Sequence, residues 1–141
     1  AMQALWTQDE ASFHGDMVQI EPSWAWPKPT QRPHPPIILG GAAGPKTAAR
    51  IAEFCDGWMP IGGRHAIDGF SEVAKACEAI GRDPKEIELG LFGAPSDEAK
   101  LTELAETGLS RAVFTMPQGS RDEVLAEVER VAPLIEAMRD A

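Results

Sequence analysis

The chain has 141 residues, with 22 acidic against 13 basic side chains and a formal net charge of −9. That length allows one core of ordinary domain size and is too short for two. The acidic balance excludes a general electrostatic footprint for nucleic acid or anionic lipid, so any anion must be bound locally. With no secretory signal pattern and no apolar run of membrane length, the expectation is a soluble cytoplasmic protein.

Met2 to Thr7 reads as a short helical stretch, and a chain that starts inside a helix suggests a missing segment upstream. Gly15-Asp16, set between Phe13 and Met17-Val18, marks a short hairpin. From Glu21 to Pro36, Pro22, Pro27, Pro29, Pro33, Pro35 and Pro36 surround Trp24 and Trp26. That density excludes helix interior and central strand and leaves an ordered or extended loop. Two tryptophans favour packing onto the chain's own domain over service as a polyproline ligand for another protein.

After Pro36 a strand-then-helix period repeats four times. Ile37 to Leu39 is a strand running into Gly40-Gly41, followed by a helix from Pro45 with Ala48, Ile51, Ala52 and Cys55 on one stripe. Trp58 to Ile61 is the second strand, and its helix begins near Asp68, aligns Phe70, Val73, Ala74 and Cys77, and stops at Gly81. Ile87 to Phe92 is the third, with a helix capped by Ser96 or Asp97 and ended by Gly108. Ala112 to Met116 is the fourth, and Ser120 with Glu123 has capping-box spacing at the head of a long helix. The stripe of that helix is Val124, Val128, Val131, Ile135 and Met138, and Pro133 should kink or divide it. Cys55 and Cys77 fall on apolar helix faces, as small hydrophobes rather than nucleophiles.

Strands alternating with helices require parallel pairing, giving one layer of strands under one layer of helices. Such a layer is half of a structure, because its other face and both edge strands are apolar and unpaired. The organisation is therefore residues 1–36 as a helix remnant, hairpin and proline-rich loop, and residues 37–141 as a (β/α)4 half-barrel, all in one domain. A complete eight-fold barrel needs about 250 residues.

The best chemical signal is the run Gly40, Gly41, Ala42, Ala43, Gly44 between a strand and the helix opened by Pro45. Small residues let backbone N–H groups approach an anion, and the helix adds its positive end. Lys46 and Arg50 add charge at the rim, but tight turns need glycine anyway. The run matches neither the Walker pattern nor the dinucleotide fingerprint. A second loop, Gly62-Gly63-Arg64-His65, presents a cation and an imidazole; in a barrel it shares a face with the first, and otherwise Arg64 is a solvated arginine. His14, His34 and His65 are scattered without ligand-spaced partners, so no metal site is expected, and no serine or cysteine triad is visible.

Trp24-Ala25-Trp26-Pro27-Lys28-Pro29, then Arg32-Pro33-His34-Pro35-Pro36-Ile37-Ile38-Leu39-Gly40-Gly41, then Asp56-Gly57-Trp58-Met59-Pro60, resemble in that order the C-terminal half of luciferase-like monooxygenases, particularly the deazaflavin branch. The resemblance implies half of a (β/α)8 TIM barrel whose cofactor, FMN or coenzyme F-420 (F420), sits at the C-terminal ends of the strands. It implies a cofactor phosphate held by Gly40, Gly41 and the neighbouring amides through Gly44, with Ile61, Gly62, Gly63 and Arg64 lining the cofactor or a substrate anion. The proton-transfer residues of that family lie in its N-terminal half, so no catalytic residue carries over. Two functional expectations follow. One is an oxidoreductase half, for hydride transfer or monooxygenation, completed by an N-terminal half-barrel or by a second copy in a homodimer; the other is a non-catalytic cofactor-binding, anion-binding or oligomeric structural protein.

Overall fold

The computed structural model describes residues 1–42, 44–62 and 66–139, Arg139 in its backbone only. The chain separates into two compact units, Ala1–Pro36 and Ile37–Ala141.

In the first unit, helix α1 (Met2–Thr7) precedes an antiparallel ribbon of β1 (Ala11–His14) and β2 (Gln19–Ser23). The Gly15 N–H donates to the Val18 carbonyl at 2.9 Å and closes the turn. Strand β2 runs through Pro22, which the density of prolines argued against; a ribbon strand has an outer edge where a missing donor breaks no ladder bond. The tryptophans do not anchor the loop by packing, since Trp24 and Trp26 are 76% and 63% exposed. Lys28 does the anchoring instead. Its Nζ donates to the carbonyls of Leu5 and Gln8 at 2.8 and 2.6 Å, at the end of α1 where helix carbonyls lack intrahelical partners, and lies 5.0 Å from the Trp26 ring centroid.

The second unit alternates β3 (Ile38–Gly40), α2 (Pro45–Phe54), β4 (Gly57–Met59), α3 (Ala66–Ala79), β5 (Glu88–Phe92), α4 (Glu98–Glu106), β6 (Leu109–Val113) and α5 (Arg121–Arg139). Its four strands lie in chain order and pair in parallel throughout. Because alternate strand residues point to opposite faces, Leu39, Trp58, Leu89 and Leu91 turn toward the helices. There they join Ala48, Ile51 and Ala52 of α2, Phe70, Val73 and Cys77 of α3, and Leu101 and Leu104 of α4 in one core. The stripes anticipated for α2 and α3 face this core, with Ala74 half-buried and the rest buried.

The opposite sheet face carries Ile38, Met59 and Phe92, with Ile38 and Phe92 still exposed. It also carries a charged pair, Arg111 Nη2 to Glu88 Oε1 at 2.7 Å. Among the described residues, β3 and β6 each have a single strand neighbour.

Three differences from the sequence expectation concern boundaries and faces. The last strand begins at Leu109 rather than Ala112, because Gly108, at φ +97°, ends the preceding turn and Leu109 pairs at once with Leu89. A register shift after Leu89 is accommodated at Ser110, whose Oγ donates to the Leu89 carbonyl at 3.1 Å. Helix α5 is continuous through Pro133, which is exposed where water can serve the carbonyl left without a donor. Its inward line is Val124, Glu127, Val131, Leu134 and Met138, while Val128 and Ile135 are 45% and 49% exposed.

Candidate functional site

In a parallel sheet all strands end on one side, and the loops that leave those ends are the natural place for a site. Here that side gathers Gly40–Gly44 after β3, Ile61-Gly62 after β4, and Gly93-Ala94 after β5. Ala43, Gly63, Arg64 and His65, four of the residues singled out from sequence, lie outside the described residues.

The first of these loops is held at both ends of its strand by one tripeptide of the next strand. At the start of β3, Asp56 Oδ2 accepts from the Ile37 N–H at 2.7 Å, while the Asp56 and Gly57 amides donate to the Ile37 carbonyl at 2.8 and 3.1 Å. At the far end, Trp58 Nε1 donates to the Gly41 carbonyl at 3.1 Å. Between them Gly57 allows close approach, since a Cβ there would lie 2.8 Å from the Glu88 carbonyl oxygen. Trp58 is fully buried and meets Phe70 edge-on, with ring centroids 5.5 Å apart. The Asp56-Gly57-Trp58 string therefore has a mechanical meaning that its resemblance to a family motif did not supply.

Gly41 adopts φ +125°, and a Cβ there would meet nothing within 4 Å, so backbone conformation rather than space calls for glycine. Gly44 is the N-cap of α2 and supplies no side-chain cap, and Pro45 follows at the first helical position. The first-turn amides of α2 thus receive no side-chain acceptor from the cap. Lys46 and Arg50 on α2 are exposed. Lys46-Thr47 does form a lysine-hydroxyl pair, but Pro45 occupies the position where the Walker pattern has glycine. A loop of small residues leading into a helix start without a side-chain cap is a geometry that accepts an anion.

The second loop is less available than its glycines suggest. Ile61 bridges to Phe92, the Gly62 N–H donates to the Phe92 carbonyl at 2.8 Å, and the Phe92 N–H donates to the Pro60 carbonyl at 2.9 Å. The Gly62 amide is therefore committed within the sheet. What this loop offers a ligand, among its described residues, is the Ile61 side chain, 78% exposed.

Cys55 and Cys77 are buried, and burial pushes both thiols up from their ordinary range, which keeps them protonated and poor nucleophiles. Among the described residues no group of three or more His, Cys, Asp or Glu could hold a metal ion. Among the described residues no helix is long and apolar enough to cross a membrane. A groove of about 530 Å³ lies against β6, α4 and α5 and is lined by Leu101, Leu109, Phe114 and Met138. It belongs to the opposite edge of the sheet from the Gly40 loop.

The model of the luciferase-like monooxygenase family matches residues 1–134. The chain belongs to that family. An uncharacterised protein of Mycobacterium tuberculosis is 41% identical over 138 residues, covering 94% of this chain and 46% of that protein. An FMNH2-dependent dimethylsulfone monooxygenase of Pseudomonas putida is 43% identical over 70 residues, 50% of this chain and 18% of that enzyme. Among solved structures, an F420-dependent secondary alcohol dehydrogenase in complex with an F420-acetone adduct superposes with a TM-score of 0.54 at 16% identity, over 94% of this chain and 50% of that one. The chain thus spans about half the length of the full-length relatives it matches. Four parallel β/α units in chain order, matched to half of such proteins, make the second unit half of a (β/α)8 barrel.

Proposed function

We propose that this chain supplies the cofactor-phosphate anchor of a luciferase-like oxidoreductase that uses FMN or F420 for hydride transfer or monooxygenation. The observation that carries the reading is the glycine turn at Gly40-Gly41, open on its outer side and leading to a helix start with no side-chain cap. The fit is chemical as well as spatial. A phosphate needs several donors close together, and Gly41, Ala42 and Gly44 put no bulky side chain before the first-turn amides of α2. Lys46 and Arg50 supply positive charge nearby on a chain that is otherwise acidic. When bound, the flavin-type ring provides the redox chemistry; this chain's part is to fix the phosphate end and offer Ile61 and Phe92 as apolar surface.

The unpaired face of Ile38, Met59 and Phe92 needs a complementary set of strands, from an N-terminal half-barrel or from a second copy. In the latter case sedimentation at micromolar concentration gives a dimer, and a stable monomer excludes the second copy.

Titration with FMN and with F420, followed by fluorescence, tests the anchor. Wild-type protein binds one or both, and Gly41→Asp weakens binding by at least about tenfold, since a carboxylate beside a phosphate repels it and a side chain is strained at this φ. Unchanged affinity in Gly41→Asp removes the loop from the site. Absence of binding by a folded wild-type chain favours the non-catalytic reading.

A further inference from the structure

We infer that Trp58 is a positioning residue for the anion site, setting the direction of the Gly41–Ala42 peptide; this inference rests on the phosphate-anchor reading. The peptide unit is planar and trans, so the Gly41 carbonyl and the Ala42 N–H point in opposite directions. The indole Nε1–H of Trp58 holds that carbonyl at 3.1 Å from beneath. Trp58 itself is fully buried on the helix side of the sheet, braced edge-on by Phe70. With the carbonyl drawn toward the core, the Ala42 N–H is turned outward, and Ala42 is exposed.

Energetics make the arrangement one-directional. A Gly41 carbonyl facing outward would place a partial negative charge where the anion sits and would leave the indole donor buried without an acceptor. Glycine at φ +125° has the conformational freedom to let this peptide turn over, so a separate restraint is needed to fix it. The Trp58 donor is that restraint. Among the described residues, none with a buried polar side-chain atom lacks a partner, which agrees with an indole whose only polar atom is engaged.

The test compares FMN with riboflavin, which differs by the phosphate. Wild-type protein prefers FMN. Trp58→Phe retains an aromatic ring against Phe70 but removes the donor; FMN affinity falls about tenfold, the scale of one lost hydrogen bond to a charged ligand's site, while riboflavin affinity stays within about twofold. Phe70→Leu is the control for packing: it lowers thermal stability and leaves the FMN-to-riboflavin ratio unchanged. A wild-type preference that persists in folded Trp58→Phe overturns the positioning role and leaves the anchor reading intact. Equal affinity of wild-type protein for FMN and riboflavin overturns the anchor reading and this inference with it. Should Trp58→Phe not fold, nitrogen–proton spectra of the wild-type chain decide: the Trp58 indole signal moves with FMN or inorganic phosphate and not with riboflavin, and an unmoved signal under saturating FMN overturns the role.

Discussion

At the residue scale, glycines carry more of this structure than their number in loops suggests, and for two different reasons. Gly41 is required by its positive φ, in open space, whereas Gly57 is required by proximity. The two kinds predict different costs. In Gly57→Ala the new methyl meets the Glu88 backbone oxygen 2.8 Å away, which can yield only if β4 and β5 shift, so a loss of about 1–3 kcal/mol is expected from chemical denaturation. In Gly90→Ala the nearest atom is the Met59 Cε, also at 2.8 Å but at the end of a flexible side chain, and the loss stays under about 1 kcal/mol. Equal losses would mean that the strands give way as readily as a methionine. None of this is visible in sequence, because Gly57 and Gly90 look alike there: closeness to a neighbouring strand is set by register, which one strand's residues do not encode.

At the scale of elements, the helices were more legible than the strands. The stripes of α2, α3 and α4 repeat every three to four residues over two or more turns, long enough for the pattern to fix the buried face. Strands of three to five residues leave no such redundancy, which is why β6 was placed three residues late. In α5 the apolar residues outnumber what the core can take, so counting them put Val128 and Ile135 inward, whereas Glu127 and Leu134 hold those places. The head of α5 was legible from spacing: the Ser120 N–H and Oγ–H donate to Glu123 Oε2 at 2.6 and 2.9 Å. These bonds hold the Glu123 carboxyl below the usual carboxylate range. A group whose folded pKa is depressed contributes fully above its unfolded value, about 4.3, and loses that contribution as pH falls through the folded one. Urea midpoints of wild-type protein and Glu123→Gln should therefore differ at pH 7 and converge as pH falls below the unfolded value and through the folded one. A gap that stays constant across that range would show that the charge on Glu123 does not support the cap.

At the scale of the molecule, one core is finished and one face is not. The helix side of the sheet is closed by fourteen buried residues in a single cluster, while the other side offers Ile38, Met59 and Phe92 around the Glu88–Arg111 pair. That asymmetry was foreseeable from four strand–helix periods, which can make only one sheet with helices on one side. The position of Gly40 and Gly41 between a strand and a helix was legible in the sequence; the bond of the Gly62 amide to the Phe92 carbonyl was not, because it is a lateral contact between separate strands. A tryptophan after Asp-Gly reads as core from sequence, and its 3.1 Å bond to the Gly41 carbonyl is visible only in the structure.

Whether the Gly41 turn and the head of α2 grip the phosphate of a flavin-type cofactor is decided by a crystal structure of the chain with FMN. A grip there places phosphate oxygens within hydrogen-bonding distance of the Ala42, Gly44, Lys46 or Thr47 amides, with the ring lying over the strand ends toward Ile61 and Phe92. A phosphate bound elsewhere on the chain, with the Gly41 turn facing solvent, would contradict it.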